Sequence, residues 1–237
     1  MKQVFLRNAD VLQSTAYRGM PQYPGRLVER LGDRAPMGLF IAGSSELVGS
    51  VDSGHLPSVA LAVSVHCPAS VVEITLALVW ELTTARVVFV GGFHSPIERR
   101  CLDAIIVAGG KAVVCLARTL TDLRIARIWQ LPLKEDKLVL VSISAPAQKR
   151  ATRESVRVRN QCVLGLTDSL LIPHATPGGK AEALCREGIE AGKPVWAVDC
   201  PTSRNLLALG AKPVILGMAT QILDPARRLA AASNPGK

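Results

Sequence analysis

The chain has 237 residues, of which 49% are hydrophobic and 20% charged, so it can bury a sizeable core and is not disordered as a whole. No apolar run reaches the roughly 18 residues that a membrane helix needs, and the N-terminus lacks the apolar segment of a secretory signal, so we expect a cytoplasmic protein without membrane contact. The formal net charge of +9 favours a polyanionic partner, and six scattered cysteines without a Cys-x-x-Cys pair exclude a disulfide framework and a zinc site.

The first 56 residues are predicted to be an N-terminal extension and linker packed on the main domain. Within them, residues 1–36 show no clear strand pattern, residues 37–43 suggest a short edge strand, and the Ser- and Gly-rich residues 44–57 are typical of a linker. At the other end, residues 218–237 are predicted to be a C-terminal tail that frays.

Residues 57–217 are predicted to form the main domain, because short apolar runs bounded by turn signals alternate there with helical patterns. The predicted strands cover residues 58–65, 86–90, 111–116, 138–142, 169–173, 194–198 and 212–216. The predicted helices cover residues 69–84, 96–108, 152–166 and 205–210, with another beginning near Ala181. Residues 119–136 are expected to be irregular. Repeated β–α alternation predicts an α/β fold with a doubly wound, mainly parallel sheet and helices on both faces.

A glycine-rich turn joins a predicted strand to a predicted helix at Thr176, Pro177, Gly178, Gly179 and Lys180. So little side-chain bulk at a helix N-terminus leaves backbone N–H groups free, and the helix dipole behind them favours an anion such as phosphate. The Lys180 ammonium adds a positive charge. The alternative is that the Pro-Gly-Gly segment only turns the chain.

A second glycine pair, Gly91 and Gly92, follows another predicted strand and precedes another helix. His94 and Ser95 are candidate donors to a phosphate, although His94 can be an ordinary loop residue and Ser95 only the N-cap. The G-x-G-x-x-G spacing of dinucleotide sites is absent. Because loops after parallel strands gather at one edge of the sheet, we predict that the two glycine loops form one anion site.

In the helix predicted over residues 152–166 and the turn before it, Arg150, Arg153 and Arg157 fall on one side. This stripe is either solvated or a face that binds a nucleic-acid backbone. We predict the second, so that replacing Arg153 and Arg157 together with alanine lowers DNA affinity and its salt dependence and leaves the melting temperature within a few degrees.

Arg159, next to Asn160, falls among the apolar positions of the same helix. A buried arginine is costly unless its charge is paired, so a partner is expected. The two candidates are a carboxylate such as Glu182, in a structural ion pair, and the phosphate of a ligand. Arg118, which follows the strand over residues 111–116, is a further candidate phosphate contact at the same edge.

Several segments resemble the motifs of the DNA-processing protein A (Smf) family. The matching segments are Y-P-G-R-L at 23–27 with L-G-D-R-A-P at 31–36, R-N at 159–160 with L-G-L-T-D at 164–168, T-P-G-G-K-A at 176–181, G-K-P-V-W-A-V at 192–198, and N-L-L with G-A at 205–211. They are similar to the family's Y-P-x-x-L lead-in, its R-N-R helix, its S-G-S-x-x-T-A loop, its G-R-x-V-x-A-V strand and its N-x-L-I ending. Gln161 stands where the family has the second arginine of R-N-R.

The resemblance implies a Rossmann-like domain that binds single-stranded DNA in DNA processing, uptake or recombination, without covalent catalysis and without a metal or cofactor. A recombinase and a second copy of the chain are the further partners that it implies. The predicted phosphate and nucleic-acid contacts are Gly91, Gly92, His94, Ser95, Arg118, Arg153, Arg157, Arg159, Asn160, Thr176, Gly178, Gly179 and Lys180.

The Pro-Gly-Gly segment with Glu182 also resembles the P-G-G-x-G-T-x-E-E motif of the related lonely-guy-type phosphoribohydrolases. The alternative function is therefore a nucleotide-binding or nucleotide-hydrolysing enzyme or sensor. In it, Glu182 would be the functional carboxylate and Arg159 the phosphate clamp.

Overall fold

Eleven strands and eight α-helices occur in the part of the chain that the computed structural model describes, which is residues 5–6, 13–53, 56–121, 123–144, 147–219 and 221–223. The strands are β1 (Phe5–Leu6), β2 (Gln13–Tyr17), β3 (Gly38–Ala42), β4 (Ser58–Leu61), β5 (Val88–Gly91), β6 (Lys111–Leu116), β7 (Ile125–Ala126), β8 (Leu138–Ser142), β9 (Ser169–Leu171), β10 (Val195–Val198) and β11 (Lys212–Val214). The helices are α1 (Gly25–Leu31), α2 (Glu46–Asp52), α3 (Ala69–Thr84), α4 (Pro96–Val107), α5 (Arg127–Lys134), α6 (Arg153–Leu166), α7 (Lys180–Glu190) and α8 (Arg204–Ala208). None of these helices is long and apolar enough to span a membrane.

Nine strands form one sheet in the order β11-β10-β9-β4-β5-β6-β8-β3-β2. Every neighbouring pair from β11 to β8 is parallel, and β3 and β2 continue the sheet antiparallel. The chain winds from β4 through β5 and β6 to β8, then returns to the other side of β4 to lay down β9, β10 and β11. This is the doubly wound, Rossmann-like arrangement that the β–α alternation predicts.

Helices cover both faces of the sheet. Successive strand residues point to opposite sides, so the apolar strands present buried side chains on both faces, and the helices pack against them. In β5, Val88 and Val90 pack into the core that α1, α6 and α7 cover, whereas Phe89 packs into the core that α3 and α4 cover. All four residues of β5 are buried, as are all four of β4. The central strands are therefore shielded on both faces, and a ligand has access mainly at the ends of the strands.

The N-terminal region differs from the prediction. Gln13–Tyr17 is a strand, although no strand was expected there, and it pairs along its whole length with β3. The strand β3 is consequently not at the edge, because it lies between β8 and β2. Of the β2 side chains that can be described, only Ala16 is buried, so the pairing partner rather than an apolar pattern forms this strand.

Two segments expected to be irregular contain helices. The predicted linker over residues 44–57 includes α2, and residues 119–136 include α5. Pro132 lies inside α5 and interrupts its sequence pattern. The division into extension, main domain and tail stays a prediction, and residues 224–237 lie outside the described residues.

A buried carboxylate anchors α1 to the amino ends of the central strands. Asp168 is 3% exposed, and its Oδ1 accepts from Arg26 Nη1 at 2.9 Å and from Arg30 Nη2 at 3.0 Å. Its Oδ2 accepts from the hydroxyl of Ser58 at 2.8 Å and from the Ser58 backbone N–H at 3.2 Å. This network ties α1, β4 and the start of β9 together.

Candidate functional site

A cavity of about 460 Å³ opens at the carboxyl ends of the parallel strands, where β4 and β9 lie side by side. The chain leaves these two strands in opposite directions along the sheet, so their following loops diverge and leave a crevice. The cavity is lined by the loops after β4, β5 and β9 and by one side of α6. Of the predicted site residues, it brings together Gly91, Gly92, His94, Arg159, Asn160, Thr176, Gly179 and Lys180.

Polar contacts between neighbouring loops hold the walls of the cavity. The backbone N–H of Thr176 donates to Ser64 Oγ at 2.9 Å, which joins the loop after β9 to the loop after β4. The Glu98 carboxylate accepts from the backbone of Val63 at 3.1 Å and from that of His94 at 3.0 Å, which joins the loops after β4 and β5. Hydrogen bonds between protein groups therefore fix the three loops relative to one another.

Glu98 was not among the predicted site residues, although its sequence signal is available. It lies three residues after Ser95, and the two form a capping box at the start of α4. Ser95 is buried and caps this helix, which is the alternative considered for it above. Its hydroxyl therefore serves the helix rather than the cavity wall.

Arg159 lies against the glycine loop at the base of the cavity. Its residue exposure is 7%, its Nε has no hydrogen-bond partner among the described residues, and no ion pair to its guanidinium is found there. A Cβ built on Gly92 would overlap the guanidinium, whose Cζ lies 2.8 Å from that position, so only glycine permits this approach. Burial lowers the pKa of Arg159, against the opposing effects of Cys115 and Glu98. A guanidinium remains charged, so the cavity contains a largely buried cation that has no ion-pair partner among the described residues.

Glu182 does not pair with Arg159. Its Oε2 accepts from the Gly178 backbone N–H at 2.5 Å and its Oε1 from Asn205 Nδ2 at 3.0 Å. The hydrogen bond from Asn205, and after it the one from Gly178, lowers the pKa of Glu182. Gly178 has a φ of +71°, which favours glycine, and the carboxylate closes the turn around it. Glu182 thus shapes the loop from outside the cavity wall.

The remaining predicted residues lie outside the cavity. Arg118 and Arg153 are exposed. The Ser155 hydroxyl donates to the carbonyl of Ala117 at 2.8 Å, and this bond holds the residue before Arg118 against the first turn of α6. Arg153 lies two turns before Asn160, on the same side of α6. Arg157 is different, because its guanidinium pairs with Glu154 at 2.6 Å and lines a second cavity.

This second cavity has a volume of about 750 Å³ and lies at the amino ends of β9 and β10, between α1, α6 and α7. Its deeper cations have protein partners. Arg30 binds Asp168, and Lys193 Nζ donates to the Thr167 carbonyl at 2.6 Å. Although larger, this cavity contains no described buried cation without a partner, so we place the candidate site at the switch point between β4 and β9.

Similarity to known proteins agrees with the fold and the motifs. The fold is similar to that of DNA processing protein A from Streptococcus pneumoniae, with a TM-score of 0.72 and 20% identity over 88% of this chain and 73% of that chain. DNA processing protein A from Helicobacter pylori gives a TM-score of 0.71 and 18% identity, over 96% of this chain and 97% of that chain. No curated protein matches the sequence of this chain.

The family model described as DNA recombination-mediator protein A matches residues 14–231, which include every predicted site residue. The match extends over the motifs that resemble the DNA-processing protein A family. The chain therefore belongs to the family of DNA recombination-mediator protein A.

Proposed function

We propose that this protein binds the phosphate backbone of single-stranded DNA in DNA processing, uptake or recombination, and that it does so without covalent catalysis. The ligand phosphate binds in the switch-point cavity beside Arg159. The protein acts in the cytoplasm, with a recombinase and a second copy of the chain as further partners. The related Helicobacter pylori protein was studied for its single-stranded DNA binding mode, which supports the choice of ligand.

The observation that carries the proposal is the buried guanidinium of Arg159, for which the described part of the chain supplies no ion-pair partner. Leaving a charge desolvated costs free energy, and an anion that enters the cavity recovers it. The helices α4 and α7 begin at the walls of the cavity, and Lys180, the first residue of α7, adds a second cation to its lining. A helix dipole, an ammonium and a planar guanidinium together suit a phosphate group. Several backbone N–H groups of the two glycine loops already have protein acceptors, namely those of His94, Ser95, Thr176, Gly178 and Gly179.

A strand of several nucleotides fits the charge distribution better than a single nucleotide. Outside the cavity, the exposed Arg118 and Arg153 continue the positive charge along the first turns of α6. A mononucleotide would leave these cations unused. Aromatic residues make up only 4% of the chain, which limits base stacking and favours contacts to the backbone.

The alternative of a nucleotide hydrolase has less support. It needs a carboxylate free to act on the ligand, and both oxygens of Glu182 are engaged by the loop and by Asn205. The residue does not belong to the wall of the cavity. Its hydrogen bonds to Gly178 and Asn205 instead stabilise the turn between β9 and α7.

The proposal is tested by titrating labelled oligo-dT and competing it with dTMP, at low and at moderate salt. We expect oligo-dT to bind at low salt, dTMP to compete weakly, and the logarithm of affinity to fall linearly with the logarithm of salt concentration, by about 0.7 per neutralised phosphate. Absence of oligo-dT binding at low salt, or equal competition by dTMP, would contradict the proposal.

Arg153 and Arg157 form a matched pair of exposed arginines one turn apart on α6. Because Arg153 extends the charge of the cavity and Arg157 is paired with Glu154, Arg153→Ala is expected to lower oligo-dT affinity and reduce the salt slope by about one phosphate contact. Arg157→Ala should change both much less. Equal effects of the two substitutions in fluorescence anisotropy would show that the DNA path follows the whole stripe.

A further inference from the structure

His94 occupies the rim of the switch-point cavity, at the end of the glycine loop after β5. Its side chain is 59% exposed, and its Nδ1 lies 3.3 Å from Glu98 Oε2. The ring also approaches the buried arginine closely. The position of a Cβ on Gly92 lies 2.9 Å from His94 Nδ1 and 2.8 Å from Arg159 Cζ. A phosphate bound to the guanidinium would therefore lie beside the imidazole.

The charged groups that face His94 come from four parts of the fold. Glu98 and Arg99 belong to α4, Arg159 to α6 and Lys180 to α7. His66, after β4, lines the same cavity. Among the described residues, three cations and one carboxylate therefore act on His94. That carboxylate already accepts hydrogen bonds from three backbone N–H groups, those of Val63, His94 and Ser95.

This environment disfavours a proton on His94 in the free protein. Partial burial against the cavity wall lowers the pKa of His94, and Arg159, Lys180 and Arg99 lower it further, while Glu98 opposes them. Since the ordinary value is about 6.5, the imidazole is mostly neutral near pH 7. A bound phosphate would add a negative charge to the same space and offset the cations.

We propose that His94 takes up a proton when a backbone phosphate binds beside Arg159, so that single-stranded DNA binds more tightly as the pH falls. This inference rests on the proposed function of the cavity. The sign follows from linkage: a group that binds its proton more strongly in the complex than in the free protein makes binding stronger at lower pH. A difference of one unit in the pKa of His94 between the two states corresponds to about tenfold in affinity.

The experiment measures oligo-dT affinity between about pH 5 and pH 7.5, across the ordinary range of histidine. The oligonucleotide carries no terminal phosphate, because a phosphate monoester itself titrates near pH 6. We expect the wild-type protein to bind about tenfold more tightly at the low end and His94→Gln to show a much flatter profile. The matched variant His66→Gln removes the other histidine that lines the cavity, and its pH profile should stay steeper than that of His94→Gln.

A second measurement follows the His94 ring by NMR in the wild-type protein, with and without oligo-dT. A higher pKa of His94 in the complex is expected. Binding with no pH dependence, a His94→Gln profile equal to the wild type, or an unchanged His94 pKa would overturn this inference and leave the proposed function intact. Failure to bind oligo-dT at any pH would overturn both.

Discussion

Replacing Arg159 with methionine is expected to weaken oligo-dT binding by about tenfold or more and to leave the fold no less stable. A hydrogen bond to a charged group contributes about 1.5–3 kcal/mol, which sets the expected loss of affinity. Stability should be maintained because the guanidinium has no described protein partner and its burial is costly, whereas methionine retains the apolar contacts of the stem.

Fluorescence anisotropy measures the first effect and thermal unfolding the second. Arg127→Met on α5, which packs on the other face of the sheet, is the control for the loss of one positive charge. It should change affinity little. If Arg159→Met lowered the melting temperature strongly and left affinity unchanged, Arg159 would be a structural residue and the cavity would lose its main support as a phosphate site.

Replacing Asp168 with alanine is expected to destabilise the protein by about 3–5 kcal/mol, because it leaves buried cations without their carboxylate. Asp168 is 3% exposed and accepts hydrogen bonds from Arg26, Arg30 and Ser58. For a domain of this size, the loss corresponds to a fall in melting temperature of roughly 10 °C. Asp168 lies at the amino ends of the strands, opposite the candidate site, so the folded variant should keep its affinity for oligo-dT.

The control for this prediction is Asp33→Ala. Asp33 is fully exposed and lies 3.5 Å from Arg18, so its ion pair is screened by water and its loss should hardly change the melting temperature. Calorimetry of both variants separates the buried network from ordinary surface charge. A small effect of Asp168→Ala would show that Arg26 and Arg30 find other partners.

The central sheet could be predicted from the sequence because its strands are short apolar runs separated by clear turn signals. The predicted bounds of β6 and β8 agree with the structure, and so do those of α3. Parallel strands place their following loops at one edge, which is why two glycine pairs 87 residues apart in sequence were expected to meet. Both glycine loops line one cavity in the structure.

The contacts within the site could not be predicted to the same extent. The position of Arg159 among apolar residues indicated a buried cation in need of a partner, but the choice between Glu182 and a ligand depended on the geometry of the loop after β9. Asn205 and the turn at Gly178 engage Glu182, and both contacts are made through the tertiary fold. Glu98 was missed as a wall residue, because its contact with Val63 joins loops from two different strands.

The strand β2 was missed for a different reason. Its sequence, Gln-Ser-Thr-Ala-Tyr, has no apolar alternation, and its pairing with β3 determines its conformation. Edge strands of this kind have little core-facing surface, so periodicity carries little information about them.

A crystal structure of the protein with bound oligo-dT is the most direct measurement of where the strand binds. We expect a backbone phosphate in the switch-point cavity, within about 3 Å of the Arg159 guanidinium and close to Lys180 at the start of α7. Phosphates bound instead in the cavity between α1, α6 and α7, with no density beside Arg159, would contradict the proposed site.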